Sequence, residues 1–564
     1  MNPRRVTFAA IALLLLAGVV RIVLASRNTS QGFDEPCHVA AGIEWLAKGT
    51  YQLDPVHPPL SRDAIGLPLY IAGERFPKFS SGDPRINNYN DVGNSILYGD
   101  GHYLRNLSLA RAGVLPFFIC AALLVFLWAQ EEFGGFAAVA ATGLFTSLPI
   151  VLAFSGLAYS DIPASCMQFG ALFALVRWLK QHTWRSALLL GGFVGLAVLS
   201  KLTTLLFLPA TASAILFCKW FKARRPGNAT QSKWLLQSIA AAAIAMAVFW
   251  AGYGFSMGHV RESMQLSPEA MPSFQHFPPM VGRIARVAVI SDWNIPVPAF
   301  VNGFAEAWTL NKTSPPAYLL GQIKNGGWWY FFLVAAAVKT PLAFLVLCAL
   351  GLVTVSRLAR QGRWGALAPA ASVAAIFVVT MPVKYNAGLR HVMVIFPLLA
   401  IVAGCGAAFL WNLQGKPRIG GRALLVGLLI WQGVSSFRAH NDYLAYFNEL
   451  AGKDPSSVLL TGCDLDCGQD VYRLSDELQK RNVQHFSLAI WSSADLSQMK
   501  LPDFEVLQPF KPVSGWVAIS ARSRIFGDLL HGTYPAGAFA WLDRYQPVGQ
   551  IGKTIRLYYI PGSS

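Results

Sequence analysis

The chain has 564 residues, of which 54% are hydrophobic and only 13% charged, with a mean hydropathy of +0.42; soluble domains carry about 25% charged residues. That balance excludes a soluble enzyme and a disordered chain. Lys and Arg total 46 against 29 Asp and Glu, a surplus of +17, and its placement decides whether it points to nucleic acid or to a membrane.

Apolar runs near the length that spans a bilayer, about 17–25 residues, recur at 6–26, 109–129, 134–153, 162–179, 186–200, 202–218, 234–255, 338–355, 366–382, 391–411 and 423–438. About eleven spans are therefore expected, and the short loops between 154 and 218 force antiparallel neighbours. With the N-terminus in the cytosol, the inner loops carry Arg4, Arg5, Lys180, Arg185, Lys219, Lys222, Arg224, Arg225, Lys233, Arg357, Arg360, Arg363, Lys416, Arg418 and Arg422, against only Glu131 and Glu132. This is the positive-inside pattern, so most of the surplus is a topology signal and no nucleic-acid partner is expected. Val23-Leu24-Ala25 resembles a signal-peptide cleavage site, but Arg21 near the end of the first run favours a retained span. The orientation leaves loops 27–108 and 256–337 and the tail 439–564 on the outer side. Two units follow: a membrane domain, 1–438, and an extracytoplasmic domain, 439–564.

The first outer loop opens Gly32-Phe33-Asp34-Glu35-Pro36-Cys37-His38. An Asp at the water–lipid boundary can act as general base toward a hydroxyl, but Asp-Glu-Pro is also how a helix begins, with Asp34 as its cap. Asp54-Pro55-Val56-His57-Pro58-Pro59-Leu60 reads as a rigid turn that could carry His57 back toward the membrane. Asp161, in Ser160-Asp161-Ile162-Pro163, stands at the outer mouth of a span, where an ionisable group is either a helix cap or a functional residue. Lys201, Lys339, Lys384 and Arg390 lie against the positive-inside trend. Snorkelling accounts for such cations singly; a lipid phosphate, which accepts charge-assisted hydrogen bonds, accounts for them together.

Most cysteines sit singly in apolar runs, as small hydrophobes. Cys463 and Cys467 are close enough for a disulfide on the outer side. The tail reads as a small α/β domain, with strands expected at Ser457–Thr461, Phe486–Trp491, Trp516–Ser520 and Thr554–Ile560 and a helix over Asp470–Lys480.

Taken with Gly195-Leu196-Ala197-Val198-Leu199-Ser200-Lys201, Lys339-Thr340-Pro341-Leu342, Gly388-Leu389-Arg390-His391 and Tyr443-Leu444-Ala445-Tyr446-Phe447-Asn448-Glu449, these motifs resemble the GT-C polytopic glycosyltransferases that use polyprenyl-phosphate sugars. That superfamily includes protein O-mannosyltransferases, lipid A aminoarabinose transferases and the bacterial phospholipid-carrier-dependent glycosyltransferases. The chain departs from the expected Ser-Asn-Leu-Asp-Trp-Gly-Gln-Asp by placing Cys467 where the Trp would stand.

The resemblance implies a polytopic helical bundle of GT-C type and assigns Asp34 to the catalytic Asp position, with Glu35 beside it and Asp161 as a second acid. Lys201 and Arg390 fall at donor-phosphate positions, Lys339 is a third candidate, and His57 is a candidate contact to acceptor or metal. No cofactor is assigned, and a divalent metal is left open. Asp464, Asp466 and Asp470 depart from EF-hand spacing and read as solvated turn acids. The expected activity is inverting transfer of a sugar from a polyprenyl-phosphate donor to a protein or lipid acceptor, on the outer face of the inner membrane. The alternative is a transporter or flippase of a lipid-linked or anionic solute, for which the same cations would form a binding pathway.

Overall fold

The computed structural model describes residues 3–27, 29–80, 83, 85, 88–222, 231–260, 279–527 and 537–562. Arg224 and Arg225 of the inner-loop cations lie outside the described residues, as does the stretch 261–278 of the second long loop.

Each expected apolar run coincides with a helix. Seven helices are long and apolar enough to cross a membrane: Arg5–Ser26, Tyr103–Phe133, Asp161–Gln181, Thr204–Phe221, Lys233–Gly252, Leu342–Arg360 and Pro417–Arg438. The run at 134–153 is a pair, Gly135–Thr146 and Pro149–Ser155, bent by 62°. Pro149 starts the second member, and the bend falls where a proline removes a backbone donor. Trp184–Val198, Trp364–Thr380 and Ile395–Trp411 are shorter apolar helices. The fold class read from the sequence, a polytopic helical bundle with a small C-terminal sheet, is the one observed.

Ile395–Trp411 is apolar on every face and almost wholly buried, as a helix at the centre of a bundle must be. It packs closely on Leu342–Arg360 because a Cβ on Gly351 would strike the Val402 carbonyl and one on Gly406 the Leu347 carbonyl. Small residues at such crossings let backbones approach where no hydrophobic effect drives helices together. Two groups of ion pairs mark opposite ends of the bundle. At one end Glu131 meets Arg177 and Glu132 meets Lys180; at the other, Asp34 meets Arg390 and Asp161 meets Lys201.

That second end is covered by the long loops and the tail. Helices Glu35–Lys48, Pro59–Ile71 and Tyr89–Tyr98 come from the first loop. The second supplies two antiparallel ribbons, β1 (Met257–His259) with β2 (Asn294–Pro296) and β3 (Ala317–Leu319) with β4 (Gln322–Lys324), and helices Pro279–Ile290 and Pro298–Thr313. The tail carries helix Val471–Lys480 and strands β5 (His485–Ala489), β6 (Asp503–Val506), β7 (Gly515–Ser520), β8 (Gly549–Ile551) and β9 (Ile555–Ile560), in the order β6-β5-β7-β9-β8. β5 is parallel to β6 and β7, and β9 is antiparallel to β7 and β8.

Ser457–Thr461 is not a strand. Leu459 forms a single antiparallel bridge to Leu319, and Leu459 and Leu460 are buried without belonging to a sheet. β6 and β8, which the sequence reading lacked, are short edge strands, and β6 has no buried-exposed alternation to betray it.

The tail is fastened to both loops. Ser30 donates its N–H to the Gln469 carbonyl at 2.9 Å and its hydroxyl to the Gly468 carbonyl at 3.0 Å. Thr461 accepts from the Tyr318 N–H at 2.6 Å and donates to the Tyr318 carbonyl at 2.9 Å. Phe33 stacks on Trp491 with ring centroids 4.0 Å apart. Cys463 and Cys467 are joined in a disulfide.

Candidate active site

A cavity of about 1470 Å³ opens where the loops meet the bundle, and its walls include Asp34, His57, Lys201, Glu306, Tyr385 and Arg390. Chain folding brings together residues that arrive from four separate segments.

Asp34 precedes the helix Glu35–Lys48 and makes no side-chain capping bond. Its Oδ2 instead accepts from Arg390 Nη1 at 2.5 Å, and its backbone N–H donates to the Tyr159 hydroxyl at 3.0 Å. Burial acts to raise the Asp34 carboxyl, but the Arg390 charge, supported by His38 and His57, leaves it below its ordinary value. It is thus held as a carboxylate, the form a general base needs. Across the cavity, burial and then the charge of Asp54 push Glu306 up from its ordinary range.

Glu35 does not reach the cavity. Fully buried at 0% exposure, it is gripped by Arg111, whose Nε and Nη2 donate to its two oxygens at 2.8 and 2.7 Å. The N–H groups of Gly32, at 2.6 Å, and Ala158, at 2.7 Å, occupy it further. A carboxylate with four donors has no free oxygen to take a proton, so the structure gives Glu35 a positioning place beneath Asp34 rather than the catalytic one expected.

Asp161 begins the helix Asp161–Gln181, and its Oδ1 accepts from Lys201 Nζ at 2.5 Å. Lys201 lines the cavity; Asp161 is not among the described lining residues and lies behind it. The turn carrying Lys201 is tied to the Pro58-Pro59 segment: Leu60 donates its N–H to the Leu199 carbonyl at 3.0 Å and the Ser61 hydroxyl donates to the Ser200 carbonyl at 2.9 Å. That tie brings the His57 turn over Lys201.

Arg390 follows Gly388, whose φ of +100° only glycine adopts without strain. The turn is fixed from the tail, because Asp464 Oδ1 accepts the Leu389 N–H at 2.9 Å. The guanidinium carbon lies 5.1 Å from the centroid of the Tyr159 ring, a cation–π contact. Arg390 Nε is buried without a hydrogen-bond partner, a donor left over for a ligand.

Lys339 is a correction to the expected phosphate-binding set. It is 1% exposed, and Nζ donates to the backbone carbonyls of Leu444 at 2.6 Å and Asp464 at 2.5 Å while lying 4.2 Å from the Phe447 ring. Its proton donors are spent on holding the tail. Asp464, Asp466 and Asp470 are a second correction: at 0%, 1% and 1% exposure they are not solvated. Asp466 accepts the N–H of Gly468 at 3.2 Å and of Arg522 at 3.1 Å, and Asp470 accepts from Arg473 at 2.9 Å and Thr554 at 2.8 Å. Burial, opposed by Lys339, pushes the Asp464 carboxyl up to about 6.

His57 faces the cavity, and its Nδ1 lies 2.8 Å from both oxygens of Asp54. The His38 ring meets the His57 ring edge-on at 4.6 Å. Sequence reasoning passed over His38, Asp54, Tyr159 and Glu306. The spacing His38…Asp54-x-x-His57 was available as a signal for the first two.

Residues 107–250 match the family described as dolichyl-phosphate-mannose-protein mannosyltransferase, in agreement with the resemblance drawn from the motifs. No curated protein sequence matches the chain. Among solved structures, the chain is similar to ArnT from Cupriavidus metallidurans bound to undecaprenyl phosphate, at 11% identity over 97% of each chain, with a TM-score of 0.48. It is also similar to the oligosaccharyltransferase AglB from Archaeoglobus fulgidus, in complex with an inhibitory peptide and a dolichol-phosphate, at 13% identity over 87% of this chain and 64% of that one, TM-score 0.41. The protein O-mannosyltransferase Pmt1-Pmt2 complex of S. cerevisiae, bound to the sugar donor, shares 17% identity over 44% of this chain and 32% of that one, TM-score 0.33.

Proposed function

We propose that this chain transfers a sugar from a polyprenyl-phosphate donor to a protein or lipid acceptor, with inversion, on the extracytoplasmic face of the inner membrane. The observation that carries the reading is the convergence of Asp34, Arg390 and Lys201 on one cavity at the loop-covered end of the bundle. The match of 107–250 to a family whose description contains a lipid-phosphate sugar supports the donor class.

The resting ion pair sets the order of events. A donor phosphate entering beside Lys201 gives Arg390 a second anion, which its planar fork can bind through two oxygens. Arg390 then shares its charge with the phosphate, and Asp34 becomes free to accept the proton of the acceptor hydroxyl. The acceptor oxygen attacks the anomeric carbon, the bond from that carbon to the phosphate oxygen breaks, and polyprenyl phosphate leaves with the electron pair. Arg390 and Lys201 stabilise the charge that develops on it. A single displacement with no enzyme nucleophile inverts the configuration. Buried charged side chains gather at the ends of the bundle among the described residues, which suits chemistry at one mouth better than the alternative of a path across the membrane.

The test is sugar transfer from polyprenyl-phosphate donors by the purified parent, Asp34→Asn and Arg390→Ala. Loss of turnover in Asp34→Asn with the donor still bound is expected; undiminished turnover in that variant overturns the assignment.

A further inference from the structure

We propose that Cys37, His38 and Asp54 form a zinc site whose fourth position opens into the cavity. One candidate ligand atom from each residue lies within 4.8 Å of the others, and all three residues are buried. Zinc bonds of about 2.0–2.3 Å arranged tetrahedrally put ligand atoms about 3.3–3.8 Å apart, so the observed cluster needs to contract by about an ångström. Thiolate, imidazole and carboxylate are the donors that zinc takes, and the mixture disfavours the all-oxygen preference of Mg²⁺ and Ca²⁺.

A second observation points to a ligand. His38 is 2% exposed, yet its Nδ1 has no hydrogen-bond partner; the nearest acid oxygen, Asp54 Oδ2, is 3.5 Å away. A buried ring nitrogen without a partner is costly, and a cation between it and Asp54 would satisfy both. Asp54 itself is held at a φ of +51°, in the left-handed region that non-glycine residues seldom adopt.

His57 completes the arrangement from outside. Its Nδ1 contacts the Asp54 carboxylate at 2.8 Å, the kind of hydrogen bond that orients a ligating carboxylate. Three protein ligands and an open position are the pattern of a zinc site that receives a ligand rather than one that only braces a fold. Cys37, His38, Asp54 and His57 all line the cavity, so that position would take an oxygen of an incoming hydroxyl or phosphate. On binding, the Cys37 thiol gives its proton to solvent and its sulfur becomes the metal ligand. The site stands apart from the glycosyl-transfer reading, because its test reads metal and not turnover.

The experiment uses the full chain in detergent, purified without chelator and without a metal-affinity column. Zinc is measured by mass spectrometry, and Co²⁺ is then exchanged in as a probe. The parent should hold about one equivalent of zinc, and its cobalt form should show the thiolate-to-metal charge-transfer band in the near ultraviolet. Cys37→Ser should lose the band. His38→Cys, which keeps a ligand in place, should retain metal and strengthen the band, and it guards against reading misfolding as lost ligation. A parent without stoichiometric zinc or cobalt uptake, a band that survives Cys37→Ser, or a His38→Cys band no stronger than the parent's overturns the proposal.

Discussion

Arg390 Nη1 lies 2.5 Å from Asp34 Oδ2 although 356 positions of chain separate the two residues. The contact joins the first loop to the turn before the central helix Ile395–Trp411, and it places the candidate base and the candidate phosphate ligand in a single pair. Each residue therefore sets the chemistry of the other.

The first prediction concerns pH. Burial acts to raise the Asp34 carboxyl, and the Arg390 charge is the largest effect opposing it. In Arg390→Gln the largest part of that opposition is gone and only His38 and His57 still act against burial, so the Asp34 pKa rises and the carboxylate is lost at a higher pH. The acid limb of kcat/KM should move upward, and the rate at about pH 5.5 relative to that at about pH 7.5 should fall below the parent's ratio. An unchanged profile in an active Arg390→Gln enzyme would show that Asp34 does not govern the acid limb.

The second concerns the Asp161–Lys201 pair, whose side chains are 2% and 9% exposed. Removing one member of a buried pair strands the other and costs about 3–5 kcal/mol, while replacing both is often neutral. Thermal unfolding in detergent should therefore show Asp161→Asn destabilised by several degrees and the double variant Asp161→Asn with Lys201→Met less so. Turnover should be lost in the double variant, since Lys201 lines the cavity. Additive destabilisation would mean that the pair is not coupled.

The spans were legible in the sequence because lipid exposure demands long apolar runs and loop charge demands an orientation. Lys201 and Arg390 stand out in the sequence because each interrupts an apolar run, and Asp34 because it lies only a few residues beyond the first span. The partners of these residues do not. Glu35 looks equivalent to Asp34 until Arg111, 76 positions away, is found upon it, and Lys339 looks like a phosphate ligand until the tail carbonyls are seen to consume its donors. Asp464, Asp466 and Asp470 read as solvated because a turn rich in acids usually is, whereas here the turn is the docking surface of the tail. Such facts belong to tertiary packing and leave no periodicity behind.

The third prediction separates Glu35 from Asp34. Glu35→Gln exchanges a carboxylate with four donors for an amide that offers one acceptor oxygen and leaves Arg111 buried with its charge uncompensated. Loss of about 3–5 kcal/mol is expected, read as a sharp drop in melting temperature and in the yield of monodisperse protein. Asp34→Asn, at a half-buried position where the carboxylate pairs with Arg390, should keep its yield and lose its turnover. A Glu35→Gln protein as stable as the parent but inactive would return Glu35 to the chemistry.

The fourth follows from Lys339. Its Nζ holds the Leu444 and Asp464 carbonyls, and Asp464 in turn holds the Leu389 N–H one residue before Arg390. The tail is in this way a brace for the phosphate-binding turn. Lys339→Met keeps the apolar stem against Phe447 but leaves two buried carbonyls without their donor, at about 1–3 kcal/mol for each. Limited proteolysis should cut the segment 440–470 faster in the variant, and the KM for the lipid donor should rise as the Arg390 turn loosens, with kcat changed less. A direct phosphate ligand would behave otherwise: the donor would bind more weakly while the tail kept the parent's resistance to protease. That outcome would place Lys339 back in the cavity, and the two readings are told apart by the protease alone.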